Sequence, residues 1–260
     1  MYKNKVVWIT GASSGIGEAL AVAFSEQGAI LVLSARRLEE LERVKRRTHN
    51  PDSVLLLPVD LTDISSFEEK TSIVIAKLGR IDVLIHNGGI SHRSLALETP
   101  LEIVRKVFEI NFFSYVALTR AVLPYFLQQN SGQIGVVSSI AGKIGAKKRS
   151  AYAASKHALL GYFNTLRAEV HQHNIKITVF CPGYVQTNIS YHALLADGSE
   201  LNKLDPNIAN GIPAELFAKK ALRGLARNKA EVFNGGKDNF TIYLFRFFPS
   251  LLPGVLRRKN

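Results

Sequence analysis

Short apolar runs recur along this chain, each followed by a segment with helical spacing. "KVVWIT" (Lys5–Thr10), "AILVLSA" (Ala29–Ala35), "SVLLLPVD" (Ser53–Asp60), "RIDVLIHN" (Arg80–Asn87), "GQIGVVSS" (Gly132–Ser139) and "IKITVFC" (Ile175–Cys181) read as strands, with "AEVFNG" (Ala230–Gly235) as a short last one. A strand with one wet face alternates polar and apolar residues, and these do not, so both faces must be covered. The spacing between the runs predicts helices over Gly15–Gly28, Leu38–Arg47, Ser66–Leu78, about Leu101–Gln128, about Ala151–His171 and Pro213–Arg227. Helices of that length carry the chain back so that each strand runs parallel to the last. The expected architecture is α/β: one doubly wound parallel sheet with helices on both faces. Ligands of such sheets bind beyond the carboxyl ends of the strands, so chemistry is to be sought there.

No linker, repeat or low-complexity block divides the 260 residues, and 47% of them are hydrophobic, enough for one sizeable core. The net charge of +12 raises nucleic acid as a partner. Its basic residues are dispersed, however, with small clusters at Arg43–Arg47, Lys147–Arg149 and Arg257–Lys259 that no aromatics interleave. The charge therefore reads as solvated surface, and no nucleic-acid partner is expected. Cys181 is the single cysteine, so no intramolecular disulfide forms and a structural zinc site lacks ligands; no metal is expected. The segment before the first strand is too short for a secretory signal, and no uninterrupted apolar run reaches a membrane span, so a cytoplasmic location is expected.

The first strand ends in "TGASSGIG", which places Gly11, Ser13, Ser14, Gly15, Ile16 and Gly17 in a turn that opens a helix. Glycine permits a tight turn and close approach of a ligand, and a helix N-terminus offers free N–H groups to a pyrophosphate. After the second strand comes "SARRLEE". A carboxylate there would grip the ribose 2′-hydroxyl of NAD, whereas Arg36 and Arg37 suit the 2′-phosphate of NADP. The competing reading is two exposed arginines that start a charged helix. Asp60, followed by Leu61, either accepts from an adenine amino group or caps its own turn. Asn87, Gly88 and Gly89 let the backbone run close under a cofactor. Asn111 is a polar residue in an apolar helix; it either bonds to backbone or holds a water. Pro182 and Gly183 break the sixth strand, and Val185 and Thr187 follow, with Thr187 placed to reach a carboxamide. Residues 184–211 have no clear periodicity and read as a lid. Tyr152 and Lys156 lie one helical turn apart, thirteen residues beyond Ser139.

Together these strings resemble the short-chain dehydrogenase/reductase family over roughly residues 5–235, from Thr10–Gly17 through Asn87–Gly89, Asn111, Ser139 and Tyr152–Lys156 to Pro182–Thr187. Within it, "LSARRLEELERVK" and "CPGYVQTNIS" look most like the lipid- and steroid-type reductases related to dehydrogenase/reductase member 7. The resemblance implies a Rossmann fold and reversible hydride transfer between NADP(H) and an alcohol/carbonyl pair on a hydrophobic substrate, with NAD the lesser choice. It implies Tyr152 as general acid/base, with Lys156 lowering the phenol's pKa and holding the nicotinamide ribose. Ser139 would position the substrate oxygen, and Asn111 would hold a water that relays protons to Lys156.

Two positions depart from the family pattern. His86 stands where an asparagine is usual, with only a local change expected, and Ser14 stands where many NADP enzymes carry a base. "IGAKKRS", the lid and an apolar tail from about residue 240 to 260, broken by Arg246, Pro249 and Pro253, are expected to line the substrate pocket. The tail has three candidate roles: packing on a neighbouring subunit of a homodimer or homotetramer, covering the site, or touching a membrane. The alternative to an enzyme is an NADP-binding sensor on the same fold, which would need no complete catalytic set.

Overall fold

The computed structural model describes residues 1–234 and 237–258. Gly235, Lys259 and Asn260, with the side chains of Arg257 and Arg258, lie outside the described residues, and with them the end of the last expected strand and the basic end of the tail. Seven strands form one sheet: β1 (Val6–Thr10), β2 (Ile30–Ser34), β3 (Val54–Leu56), β4 (Val83–His86), β5 (Gly132–Val137), β6 (Ile175–Pro182) and β7 (Glu231–Asn234). Their order is β3-β2-β1-β4-β5-β6-β7, and every pair is parallel. The order reverses between β1 and β4, so the connections leave in opposite directions there and a crevice opens at their carboxyl ends.

Alternate side chains of each strand enter two cores. Val7 and Ile9 of β1 join the core under α1 (Gly15–Ser25), α2 (Leu38–Arg47) and α7 (Ala214–Ala226). Val6 and Trp8 join the core under α3 (Phe67–Leu78), α4 (Leu101–Gln129) and α5 (Ser150–Glu169). Phe24 and Phe217 fill the first core, Phe126 and Phe163 the second. The continuous apolar strands are thereby explained: no face of the sheet is wet.

Four differences from the sequence reading have local causes. The regular β3 ladder ends at Leu56, before Pro58, yet Leu57 and Val59 still donate to Leu33 and Ala35; the proline sits on the open edge, where its missing N–H breaks no bond to β2. The long helix α4 is not uniform: Glu109–Phe113 is one π-turn with the buried Asn111 at its centre. The tail is helical, as α8 (Lys237–Phe247) and α9 (Leu252–Arg258), because Pro249 and Pro253 fall at helix starts, where proline is tolerated. Finally, α4 is long and apolar enough to cross a membrane by length and composition, with mean hydropathy 1.3 in its most apolar window. Here its face of Val107, Leu118, Val122 and Phe126 is buried in the core instead.

The amino end of the sheet is tied by Asp82. Its buried carboxylate accepts from the Val6 N–H at 2.9 Å, from Lys5 at 3.0 Å and from Arg80. Both cations are near half exposed, so the buried N–H bond dominates the energy. Asp82→Ala is expected to destabilise the protein by about 1–3 kcal/mol, because it strands that N–H. A urea unfolding midpoint that does not move would refute this.

Candidate active site

The loops that follow β1 and β4 interlock. Asn87 Nδ2 donates to the carbonyls of Thr10 and Gly11 at 3.1 and 3.0 Å, and the Asn87 N–H donates to Thr10 Oγ1 at 3.1 Å. Gly11 has φ +62, and a Cβ there would lie 2.5 Å from the Gly88 Cα, so both the angle and the contact require glycine. Gly17 does not face the cleft; a Cβ on it would stand 2.1 Å from the Gly11 carbonyl oxygen, so it lets α1 pack against its own turn. Ser14 sits at the N-cap of α1, and its hydroxyl makes no cap hydrogen bond. The first-turn N–H groups therefore stay available.

A cleft of about 1870 Å³ crosses these carboxyl ends. It exceeds the roughly 300–1,000 Å³ of a single small-ligand site. At one end Gly11, Ser13, Ser14, Gly15 and Ile16 line it with Arg36, Arg37, Asp60, Leu61, Asn87, Gly88 and Gly89. Pro182, Gly183, Val185 and Thr187 border it, and Thr187 Cγ2 lies 2.8 Å from where a Gly15 Cβ would stand. Arg36 and Arg37 are exposed at the rim, and the Arg36 charge helps hold the Asp60 carboxyl below the usual range. The larger cause of that lowering is the Thr62 N–H, which Asp60 accepts at 2.9 Å, so Asp60 does cap its own turn. A glycine cradle, an open helix N-terminus and two exposed guanidinium groups fit a nicotinamide dinucleotide.

Ser139, Tyr152 and Lys156 line the other half of the cleft. Ser139 Oγ accepts from the Ala141 N–H at 3.1 Å and faces the Tyr152 phenol. Lys156 is buried; its Nζ donates to the Val137 carbonyl at 2.9 Å and lies 5.8 Å from the Tyr152 ring centre. Asn111 does not reach the cleft. Its carboxamide accepts from the Ile90 N–H at 2.8 Å, donates to the Ile90 carbonyl at 2.9 Å and donates to Ser155 Oγ at 3.1 Å. The side chain thus bonds to backbone, one of the two options the sequence left open. His86, buried and neutral, meets Thr119 at 2.7 Å and stacks on Tyr115 at 4.7 Å, a local accommodation. Burial drives its pKa down to about 3.

The expectation that Lys156 and the positive nicotinamide ring together lower the phenol's pKa concerns the cofactor-bound site; in the chain by itself burial dominates both groups. Burial raises the Tyr152 pKa, opposed by Arg149, the Ser139 hydroxyl and Arg93. Lys156 is itself desolvated, and its pKa falls from the ordinary 10.5 to about 7. The cations that act on the phenol in this chain are Arg149, inside the "IGAKKRS" segment expected at the pocket, and Arg93, which sequence reasoning missed. Arg93 lies beyond β4, and Arg149 is the N-cap of α5, three residues before Tyr152. The α5 pattern placed Arg149 one turn from Tyr152, but nothing local marked Arg93. Arg43 was also missed: it bonds to Glu18 and, at 2.9 Å, to the Ser13 carbonyl, which braces the glycine turn. Residues of "IGAKKRS", of the 184–211 segment and of the tail line the cleft, the last through Thr241, Phe245 and Leu256.

Lys156 makes stability depend on pH. Between pH 7 and 10 the unfolded chain holds a proton that the folded lysine has shed, so the protein without cofactor gains stability as pH rises through that window. In Lys156→Met that part of the slope is expected to vanish. Denaturation midpoints at stepped pH check it, and equal slopes in both proteins would refute it.

The profile for short chain dehydrogenase matches residues 5–195. Human dehydrogenase/reductase SDR family member 7 is 40% identical over 254 residues, covering 95% of this chain and 75% of that protein. A dehydrogenase/reductase SDR family protein 7-like from Anopheles gambiae is 43% identical over 238 residues, covering 88% and 74%. Among solved structures, a short-chain dehydrogenase from Streptomyces avermitilis superposes with a TM-score of 0.83 at 28% identity, covering 99% of this chain and 98% of that one. The paired strand-end loops, the Tyr152–Lys156 turn and these likenesses agree: the chain belongs to the short-chain dehydrogenase/reductase family of oxidoreductases, of the dehydrogenase/reductase member 7 type.

Proposed function

We propose that the protein is an NADP(H)-dependent reductase of a hydrophobic carbonyl compound, reversible as an alcohol dehydrogenase. The observation that carries this reading is Tyr152, Ser139 and Lys156 facing one cleft that also holds the glycine cradle and the exposed Arg36 and Arg37. A bound nicotinamide dinucleotide supplies the hydride to the carbonyl carbon or takes it back from the alcohol.

The chain's own residues do the rest. A buried phenol with a raised pKa is protonated at neutral pH, so Tyr152 Oη acts as the acid that gives a proton to the substrate oxygen. Ser139 Oγ donates a hydrogen bond to the same oxygen and fixes its position. Lys156 Nζ, with a pKa near 7, passes a proton toward the phenol as it is spent. Asn111 holds the Ile90 backbone behind Gly89 and fixes Ser155 on the Tyr152 helix. Arg36 and Arg37 hold the 2′-phosphate. Ile144, Ile189, Leu204 and Phe245 supply apolar wall for the substrate. The protein is proposed to work in the cytoplasm as a homodimer or homotetramer. Tyr243, Phe247, Phe248 and Leu251 of the tail, exposed in the single chain, are the surface open to a neighbour.

Tyr152→Phe is expected to lower kcat by roughly 10²- to 10⁴-fold on any carbonyl turned over, with NADPH affinity retained. A wild-type rate in that variant would defeat the reading and favour a cofactor-binding sensor. Arg36→Ala is expected to raise the Kd for NADPH about tenfold, or ~1.4 kcal/mol, and to leave that for NADH unchanged. Equal losses for both cofactors, measured by nucleotide fluorescence, would overturn the NADP assignment.

A further inference from the structure

We propose that Arg93 and Arg149 form an anion-binding subsite beside Tyr152, so that the compound turned over carries a carboxylate or phosphate group next to its apolar body. The inference deepens, and rests on, the reading of this cleft as a carbonyl reductase site.

Both arginines line the cleft and converge on one carboxylate. Asp205, at the start of the short α6 (Pro206–Ala209) in the lid, accepts from Arg93 and, at 3.2 Å, from Arg149 through the same oxygen. Its other oxygen is taken by the Asn207 N–H at 2.9 Å. Two guanidinium groups thus share a single negative charge, and one positive charge is left over. All three side chains are at least three-quarters buried. A buried charge without a counter-charge is costly, so the surplus has to serve something. The Arg93 Nε is buried and meets no acceptor among the described residues.

The surrounding charges do not cancel this surplus. Lys147 and Lys148 line the same wall, and the nearby lid acid Glu200 is held by His192 at 2.8 Å. A latch that only fastens the lid would need one arginine for one aspartate. A second guanidinium, planar and always charged, is what recognition of a carboxylate or phosphate calls for. Arg149 precedes Tyr152 by three residues on the same helix, one turn or about 5 Å along its axis. An anion held there leaves the rest of a small molecule within reach of the phenol, with the apolar wall beyond.

The test is calorimetric titration of the NADPH-saturated protein with benzoate, phenyl phosphate and the uncharged methyl benzoate. Both anions are expected to bind at least about tenfold more tightly than the ester, and their order separates a carboxylate from a phosphoryl preference. Their affinity should fall as KCl rises, while that of the ester holds. In Arg149→Gln, and separately in Arg93→Gln, the ratio of anion to ester affinity should drop about tenfold. Equal binding of all three ligands, or anion affinity that salt does not change, overturns the subsite without recourse to any variant. Turnover of neutral aldehydes tests the reductase reading separately. Turnover without anion preference defeats the subsite alone, and anion binding without turnover of any carbonyl defeats the reductase alone.

Discussion

The site depends on one backbone-to-backbone contact. Where β1 and β4 lie side by side, Gly11 meets Gly88 with no room for a side chain between them, and the Asn87 amide laces the two loops together. Had either loop stood further out, the open end of α1 and the Tyr152 helix would not border the same cleft. The parallel sheet fixes the strands, but this contact sets how closely their ends approach.

The chemistry that results is governed more by burial than by ion pairing. Desolvation pushes the Tyr152 phenol up and the Lys156 ammonium down, so both groups are moved toward shared neutrality and away from a phenolate–ammonium pair. Charge reaches the phenol from the side, through Arg93 and Arg149. Without cofactor the phenol is therefore held in its protonated form, with burial the larger influence and the two arginines the smaller.

Much of this was legible in the sequence because it is local. The glycine turn, the Tyr152–Lys156 spacing and the unbroken apolar strands are all patterns over fewer than ten residues, and the parallel sheet follows from their alternation with helices. What was hidden is non-local or depends on competition. Arg93 and Asp205 are 112 residues apart. The π-turn forms because Asn111 finds the Ile90 backbone across a loop, and no helical periodicity announces that. The lowered Lys156 pKa was hidden because it comes from burial by distant segments, which carries no signature in the sequence. The tail looked irregular because its prolines were read as breaks and not as helix starts.

The tail brings Thr241, Phe245 and Leu256 to the cleft, whereas the loops after β1, β2 and β4 build the nucleotide end. The two halves of one cavity are thus encoded far apart in the chain. Residues near the carboxyl terminus can be exchanged without disturbing the glycine cradle, so the size and shape of the molecule admitted can change while the machinery for hydride exchange stays as it is. The last helices are thus one of several separate segments that shape this half of the cleft, beside residues 144–149 and 184–209.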